Sequence, residues 1–329
     1  MKFPHQLSLA TLLTGIGAAV SFGAAAQPAG GYPVKPIRVI IGFAPGGPAD
    51  IAGRTVSPRL SELLGQQVVI ENRGGAGGTI GMEMVAKAAP DGYTLGLGSS
   101  GNMVMAPQLR ANIPYNILKD LIHVSTLAVS SYVIAVNPVV PAKNVGELIK
   151  IAQSKRHTLT YGTSGAGSTS HIAAELLAGT LGVKVLPVPY KGTGPALAAV
   201  VSGEIDMMVA DLTPAKPLAD NGRLRLLATV SSRRSSLLPD LPTMAEAGVK
   251  MQPVDGRYGI VAPAGTPRDI VNRLHTAIVG TLKSPEVQKR FQQIGFEVIG
   301  DTPEQFSATL KTEGEVFAAV IKRAGIKVD

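Results

Sequence analysis

The sequence predicts an α/β fold of two lobes, each a mostly parallel sheet flanked by helices. Two observations carry this: short β-branched runs alternate with amphipathic helical stretches along the chain, and Gly- and Pro-rich turns stand where strand gives way to helix. A third observation, two apolar strands placed to run between lobes at 124–137 and 224–232, predicts that one lobe is discontinuous and the other inserted.

At 329 residues and 45% hydrophobic content, the chain is long enough for two medium domains with packed cores. Aromatic residues make up 4% and Trp is absent, which disfavours stacking platforms for bases or long sugars. The net charge of +8 suits an anionic ligand or surface. It does not single out nucleic acid, because Lys and Arg are scattered and the tight pair Arg233-Arg234 sits in a Ser-rich loop. Absence of Cys removes disulfides, thiol nucleophiles and cysteine metal sites together.

Residues 1–26 read as a secretory signal peptide: Lys2 and His5, then an apolar stretch over 7–22, then Ala24-Ala25-Ala26 before Gln27. The expected location is therefore the periplasm, with cleavage near Ala26. The mature chain divides into a discontinuous lobe 1 (27–130 and 230–329) and an inserted lobe 2 (131–229).

After a Gly-Pro linker at 28–33, strand 37–43 leads to helix 49–64, with apolar residues Ile51, Val56, Leu60, Leu63 and Leu64 at helical spacing. Strand 68–71 feeds a glycine-rich turn and helix 79–88. Pro90-Asp91-Gly92 turns the chain into strand 93–98. Beyond the crossing strand come helix 145–154, the strand at Leu159, the Ser168 helix, strand 183–188, helix 194–202 and strand 205–210. A polar, Pro-containing segment and strand 225–230 follow. The Ser-Arg-Pro loop 231–242, strand 258–262 and helices 267–283, 285–294 and 303–324 complete the chain.

Two loops carry the functional reading. In the first, strand 37–43 stops at Phe43-Ala44-Pro45-Gly46-Gly47 and a helix begins at once, with Asp50 at its head. Free backbone N–H groups and the positive end of the helix dipole make such a place attractive to anions. The second, Thr163-Ser164-Gly165-Ala166-Gly167-Ser168 before the helix through His171, repeats the plan. Two such ends facing each other would hold a small carboxylate.

Each candidate has a structural reading beside the functional one. Asp50 either orders its loop or meets a ligand ammonium group, since direct contact with an anion is electrostatically unfavourable. Ser164 and Ser168 either donate to a carboxylate or cap the helix. His171 either points at the pocket or fills a structural role. Tyr190 offers a hydroxyl; Lys191 pairs with a carboxylate or is solvated. Asp206 and Asp211 bind a ligand amine or hold a loop. Ser99 and Ser100 follow a strand and are first-lobe donors.

No catalytic constellation appears. Gly162-Thr163-Ser164-Gly165-Ala166 falls one glycine short of a nucleophile elbow. Gly165-Ala166-Gly167-Ser168-Thr169-Ser170 lacks the third glycine of a dinucleotide fingerprint. Neither an H-E-x-x-H motif nor a cysteine pair is present. No enzyme activity, cofactor or metal is expected. The alternatives are an exported serine hydrolase using Ser164 and a ligand-sensing subunit of a signalling system.

Several segments resemble the periplasmic solute-binding proteins of tripartite tricarboxylate transporters, the Bug receptors. They are Tyr32-Pro33 through Arg38, Gly42 to Gly47 with Asp50, Asn72-Arg73 through Gly81, and Pro90-Asp91-Gly92-Tyr93-Thr94-Leu95. Further on are Tyr161 to His171, Val188 to Gly192 with Gly194-Pro195-Ala196-Leu197, Leu238-Pro239-Asp240 to Gly248, and Ala262 to Pro267. The resemblance implies a type II Venus-flytrap fold that closes on a small organic carboxylate without chemistry. It also implies a monomer that hands its ligand transiently to membrane transporter subunits. In such proteins the 43–47 loop reads a carboxylate through backbone groups and waters, and the 163–168 loop faces it. One departure is Arg257-Tyr258, just where relatives often carry a Trp.

Overall fold

The computed structural model of the chain describes residues 31–109, 112–154, 158–326; the expected signal peptide lies outside them. Lobe 1 begins with β1 (Ile37–Ile41), α1 (Pro48–Leu64), β2 (Val68–Asn72), α2 (Thr79–Ala86) and β3 (Thr94–Ser99). A π-helical turn (Gly101–Met105) and α3 (Ala106–Leu109) follow, and β4 (Leu121–Val136) then leaves the lobe. Lobe 2 holds α4 (Val145–Gln153), β5 (Thr160–Thr163), α5 (Thr169–Leu181), β6 (Leu186–Pro189), α6 (Thr193–Ser202), β7 (Met207–Asp211), α7 (Leu212–Asp220) and β8 (Arg225–Thr229). The chain returns through β9 (Asp255–Pro263), α8 (Arg268–Leu282), α9 (Pro285–Gln293), β10 (Phe296–Val298) and α10 (Pro303–Ala324).

β1 lies between β2 and β3, parallel to both, and β5 between β6 and β7, again parallel. Between these parallel triplets run antiparallel strands. β4 pairs with β9 from Leu121 to Ser131, then with β7 from Tyr132 to Val136. One strand thus belongs to both sheets. The parallel strands of each lobe point their carboxyl ends at the junction, where ligands gather in open α/β sheets.

Side-chain alternation along β4 explains how one strand serves two layers. Tyr132, Ile134 and Val136 enter the core shared with Met103, Val261 and Phe306, whereas Val133 and Ala135 face α6 and α7. Such period-two alternation follows from the pleat. A separate core under α1, α8 and α9 takes Ile37, Val39 and Ile41 of β1.

Helix ends follow recognisable chemistry. α1 starts on Pro48 at its first position and stops at Gly65 in the left-handed conformation. α10 has a reciprocal capping box between Thr302 and Gln305. Four pieces depart from the sequence reading. The Pro-containing segment after β7 is the helix α7, because Asp211 caps it by accepting the Thr213 N–H and Pro214 sits in its first turn. β10 and the π-turn after Ser99 were not expected; β10 is a three-residue edge strand paired to β4. β9 begins at Asp255, three residues before the predicted start.

Candidate functional site

The carboxyl ends of β1 and β3 in lobe 1 and of β5 and β6 in lobe 2 border a small, tightly shut cavity in which only about 20 Å³ can hold the centre of a water-sized sphere. It is lined by Phe43, Gly47, Pro48, Ala49, Ser99, Tyr132, Ser164, Thr169, Thr193 and Tyr258. The geometry of the lining is unusual in its charge. Gly47 to Ala49 open α1, Thr169 opens α5 and Thr193 opens α6, so the N-termini of all three helices border one cavity. Each such terminus carries about half a positive charge. Around them stand the hydroxyl-bearing residues Ser99, Ser164, Thr169, Thr193, Tyr132 and Tyr258, and no Lys or Arg is among the lining residues.

The lobe 1 wall is held by an ionic brace. Asp50 accepts the Gly46 N–H at 3.0 Å and the Arg54 Nε–H at 2.9 Å. Arg54 donates onward to Asn72 at 3.1 Å, and Asn72 donates to the Phe43 carbonyl at 3.1 Å. Burial alone would raise the Asp50 carboxyl, but hydrogen bonds from Arg54, Gly46 and Asn72 together outweigh it and hold it below the ordinary carboxylate range.

The lobe 2 wall is held by neutral hydroxyls. Ser170 Oγ accepts the Ser164 N–H at 2.9 Å and lies 3.0 Å from both the Ser164 and Ser168 hydroxyls. Ser168 caps α5 by accepting the His171 N–H, and His171 Nδ1 accepts the Gly167 N–H at 3.0 Å. Thr163 Oγ1 accepts the Gly165 N–H.

Beneath the cavity lies a buried carboxylate. Asp211 is fully buried and accepts from Tyr258 at 2.7 Å, from Thr213 N–H at 2.9 Å, and from the Ser130 hydroxyl. Burial pushes its carboxyl up despite these donors. Burial, followed by the Asp211 charge, also raises the Tyr258 hydroxyl well above its usual value.

The predicted residues separate into groups. Phe43, Gly47, Ser99 and Ser164 line the cavity. Ala44, Gly165 and Lys191 form its rim through their backbones: the Ala44 N–H donates to the Lys191 carbonyl across the cleft at 3.0 Å. Asp50, Thr163, Ser168 and His171 brace the loops from behind. Pro45 and Gly46 are exposed outside the cavity. Ser100 serves β9, donating to the Asp255 carbonyl and accepting the Arg257 N–H.

Two expectations need correction. Tyr190 directs its hydroxyl to Glu204 at the surface, at 2.8 Å, not to the cavity. Asp206 precedes β7 and accepts from Thr160 N–H and Oγ1 at the start of β5, so it sits at the opposite end of the lobe 2 strands. Lys191 is exposed and offers its carbonyl rather than its ammonium group.

Sequence reasoning missed Pro48, Ala49, Tyr132, Thr169, Thr193 and Tyr258. Thr169 and Thr193 are first residues of helices that were themselves predicted, so their position was readable. Tyr132 and Tyr258 reach the cavity from strands and carry no local signal. Arg257, the neighbouring departure from the resemblance, pairs with Glu313 at 2.9 Å instead.

The Ser164 hydroxyl has a serine rather than a base beside it, and the nearby His171 Nδ1 is committed to Gly167. No group of His, Asp or Glu suited to a metal occurs among the described residues. No helix among them is long and apolar enough to cross a membrane.

Comparison with known proteins places this geometry. The model of the tripartite tricarboxylate transporter family receptor matches residues 52–326. The periplasmic binding protein BugD is 34% identical, with a TM-score of 0.87 over 90% of this chain and 99% of its own. An R. palustris protein solved with adipate is 33% identical, with a TM-score of 0.87 over 90% and 99%. MatC from Rhodopseudomonas palustris, solved with bound malate, is 33% identical, with a TM-score of 0.85 over 88% and 100%. With a matched family model spanning most of its length and a two-lobed periplasmic binding protein fold, the chain belongs to the tripartite tricarboxylate transporter receptor family of solute-binding proteins.

Proposed function

We propose that this receptor captures a small organic carboxylate between its lobes and delivers it to a tripartite tricarboxylate-type membrane transporter. The observation that carries the ligand class is the convergence of the α1, α5 and α6 N-termini on one hydroxyl-lined cavity without a lining cation. Dipoles and hydroxyls stabilise an anion while leaving it free to depart, which suits a carrier more than a tight ion pair would. The malate and adipate held by the two R. palustris proteins belong to the same chemical class.

In this reading the lobes are 27–130 with 230–329, and 131–229. They hinge where β4 changes partners at Ser131 and Tyr132, and where the chain returns between β8 and β9. Ligand in the cavity bridges both walls and shifts the population toward the closed form that the transporter recognises. Residues 1–26 direct export and are removed, and the mature protein acts as a periplasmic monomer. Phe43, Gly47, Ser99, Ser164, Thr169 and Thr193 are the proposed contacts.

A thermal-shift screen of the mature protein against malate, succinate and adipate, each beside its diamide, tests the ligand class. A ligand bound only by the native state raises the melting temperature. The expected result is a rise with at least one acid that its diamide does not produce. Equal rises with acid and diamide would remove the anion argument.

A further inference from the structure

The cavity is closed by bare backbone. Around its rim, glycines of one lobe approach atoms of the other so closely that a side chain would force them apart. A Cβ on Gly101 would lie 2.8 Å from Thr169 N and 3.1 Å from Ser168 Cα; one on Gly192 would lie 3.1 Å from both Ala44 N and Ala44 Cβ. A Cβ on Gly77 would overlap the Ala166 carbonyl, and one on Gly165 would lie 2.7 Å from Gly77 N. The Ala44 to Lys191 hydrogen bond crosses this line of contact.

Backbone conformation explains Gly77 and Gly165, whose φ of +67° and +120° favour glycine in any case. It does not explain the other pair. Gly101 lies in a π-helical turn and has no positive φ, and Gly192 has φ 160° and ψ 175°, extended backbone open to any residue. For these two, the close neighbours lie entirely in the opposite lobe. Glycine is needed there only when the lobes are shut.

We infer that Gly101 and Gly192 are positioning residues that set how far the lobes close and therefore which length of acid fits. This rests on the carboxylate-receptor reading above. In this closed form only about 20 Å³ can hold the centre of a water-sized sphere, far below the range of small-molecule sites, so the wider the seam is held, the longer the acid admitted. A methyl group at either glycine props the seam open by a few tenths of an ångström or more. Closure on a four-carbon acid then loses contacts that a longer acid recovers.

The test uses Gly101→Ala and Gly192→Ala, with Gly179→Ala as control because a Cβ there meets nothing within 4 Å. The chain contains no native Cys. Gln67→Cys and Lys184→Cys, both exposed and in different lobes, therefore take a unique pair of spin labels. Label distances are measured without ligand, with malate and with adipate, alongside dissociation constants and the ligand-free melting temperature.

The expected result is loss of the short-distance population in both seam variants, with ligand-free melting unchanged. Malate affinity falls by about tenfold for a tenfold loss of the closed state, and adipate affinity falls less. The control behaves as the parent. Unchanged distances and malate affinity in both seam variants would overturn the inference, as would a fall in ligand-free melting matching the loss of affinity. If neither acid binds the parent but the variants still lose the short distance, the seam stands and the carboxylate reading falls. A parent without the short distance in any condition removes the seam itself.

Discussion

The two walls of the cleft present the same geometry, a strand end leading through a glycine-bearing loop into a helix N-terminus, but hold it by different chemistry. In lobe 1 the loop is tied by Asp50, Arg54 and Asn72, an ionic chain that ends on the Phe43 carbonyl. In lobe 2 the loop is tied by Ser164, Ser168 and Ser170, with His171 accepting from Gly167. Backbone N–H groups need fixed direction to serve an anion, and either network supplies it. The difference lies in field. A carboxylate one turn into α1 offsets part of the positive end it braces, whereas hydroxyls leave the α5 terminus undiminished.

The sharpest way to break this picture is at Gly47, where lobe 1 meets the cavity. Its φ of −81° accepts a side chain, and the nearest neighbours of a Cβ are the Ala44 carbonyl at 3.6 Å and Thr193 Cβ at 4.0 Å. Gly47→Val fits the backbone but places its methyls in the site. Carboxylate affinity is expected to fall on the order of 100-fold, about 2.8 kcal/mol, with the fold retained by circular dichroism. Parent-like affinity in a titration would move the site elsewhere.

Asp50→Ala separates the two bracing chemistries. Removing a charged acceptor from a backbone N–H and an arginine is expected to cost about 2 kcal/mol in denaturant unfolding. The acid limb supplies a second readout. The folded carboxyl lies below its ordinary value, so its stabilisation is fully present above about pH 4 and is lost as pH falls through the lower folded value. Asp50→Asn should flatten that limb. A variant with the parent's acid profile would show that the ionic brace contributes nothing.

The smallest effect is expected on the neutral wall. Ser170→Ala removes an acceptor from the buried Ser164 N–H, but Ser164 and Ser168 keep hydroxyls nearby to re-pair. The expected loss is about 1 kcal/mol, with no change in pH dependence between pH 5 and pH 8. A pH-dependent loss would mean that the lobe 2 wall also relies on charge.

Much of the fold was legible because it follows from local rules. The apolar spacing of α1 and the Thr302–Gln305 capping box are printed in consecutive residues. Both loops that border the cavity were legible for the same reason: a strand that ends in glycine-bearing turn residues before a helix start is written in consecutive positions. α7 was obscured by its prolines, since Pro217 argues against a helix interior and outweighs the local cap that Asp211 offers the Thr213 N–H. β10 exists through its pairing with β4, and three residues alone carry no strand signal.

The site divides along the same line. Sequence by itself determined which loops present backbone N–H groups, because turn chemistry and helix starts act over a few residues. Tertiary structure decided which side chains those loops meet. Tyr258 arrives at the cavity because β9 pairs with β4, and Tyr132 because β4 alternates faces. Asp206 leaves it because the site lies at the carboxyl ends of the strands, while this residue stands before one. Neither Gly101 nor Gly192 has a backbone conformation that demands glycine. Their requirement comes from atoms of the other lobe, more than 60 residues away in sequence, which local periodicity cannot encode.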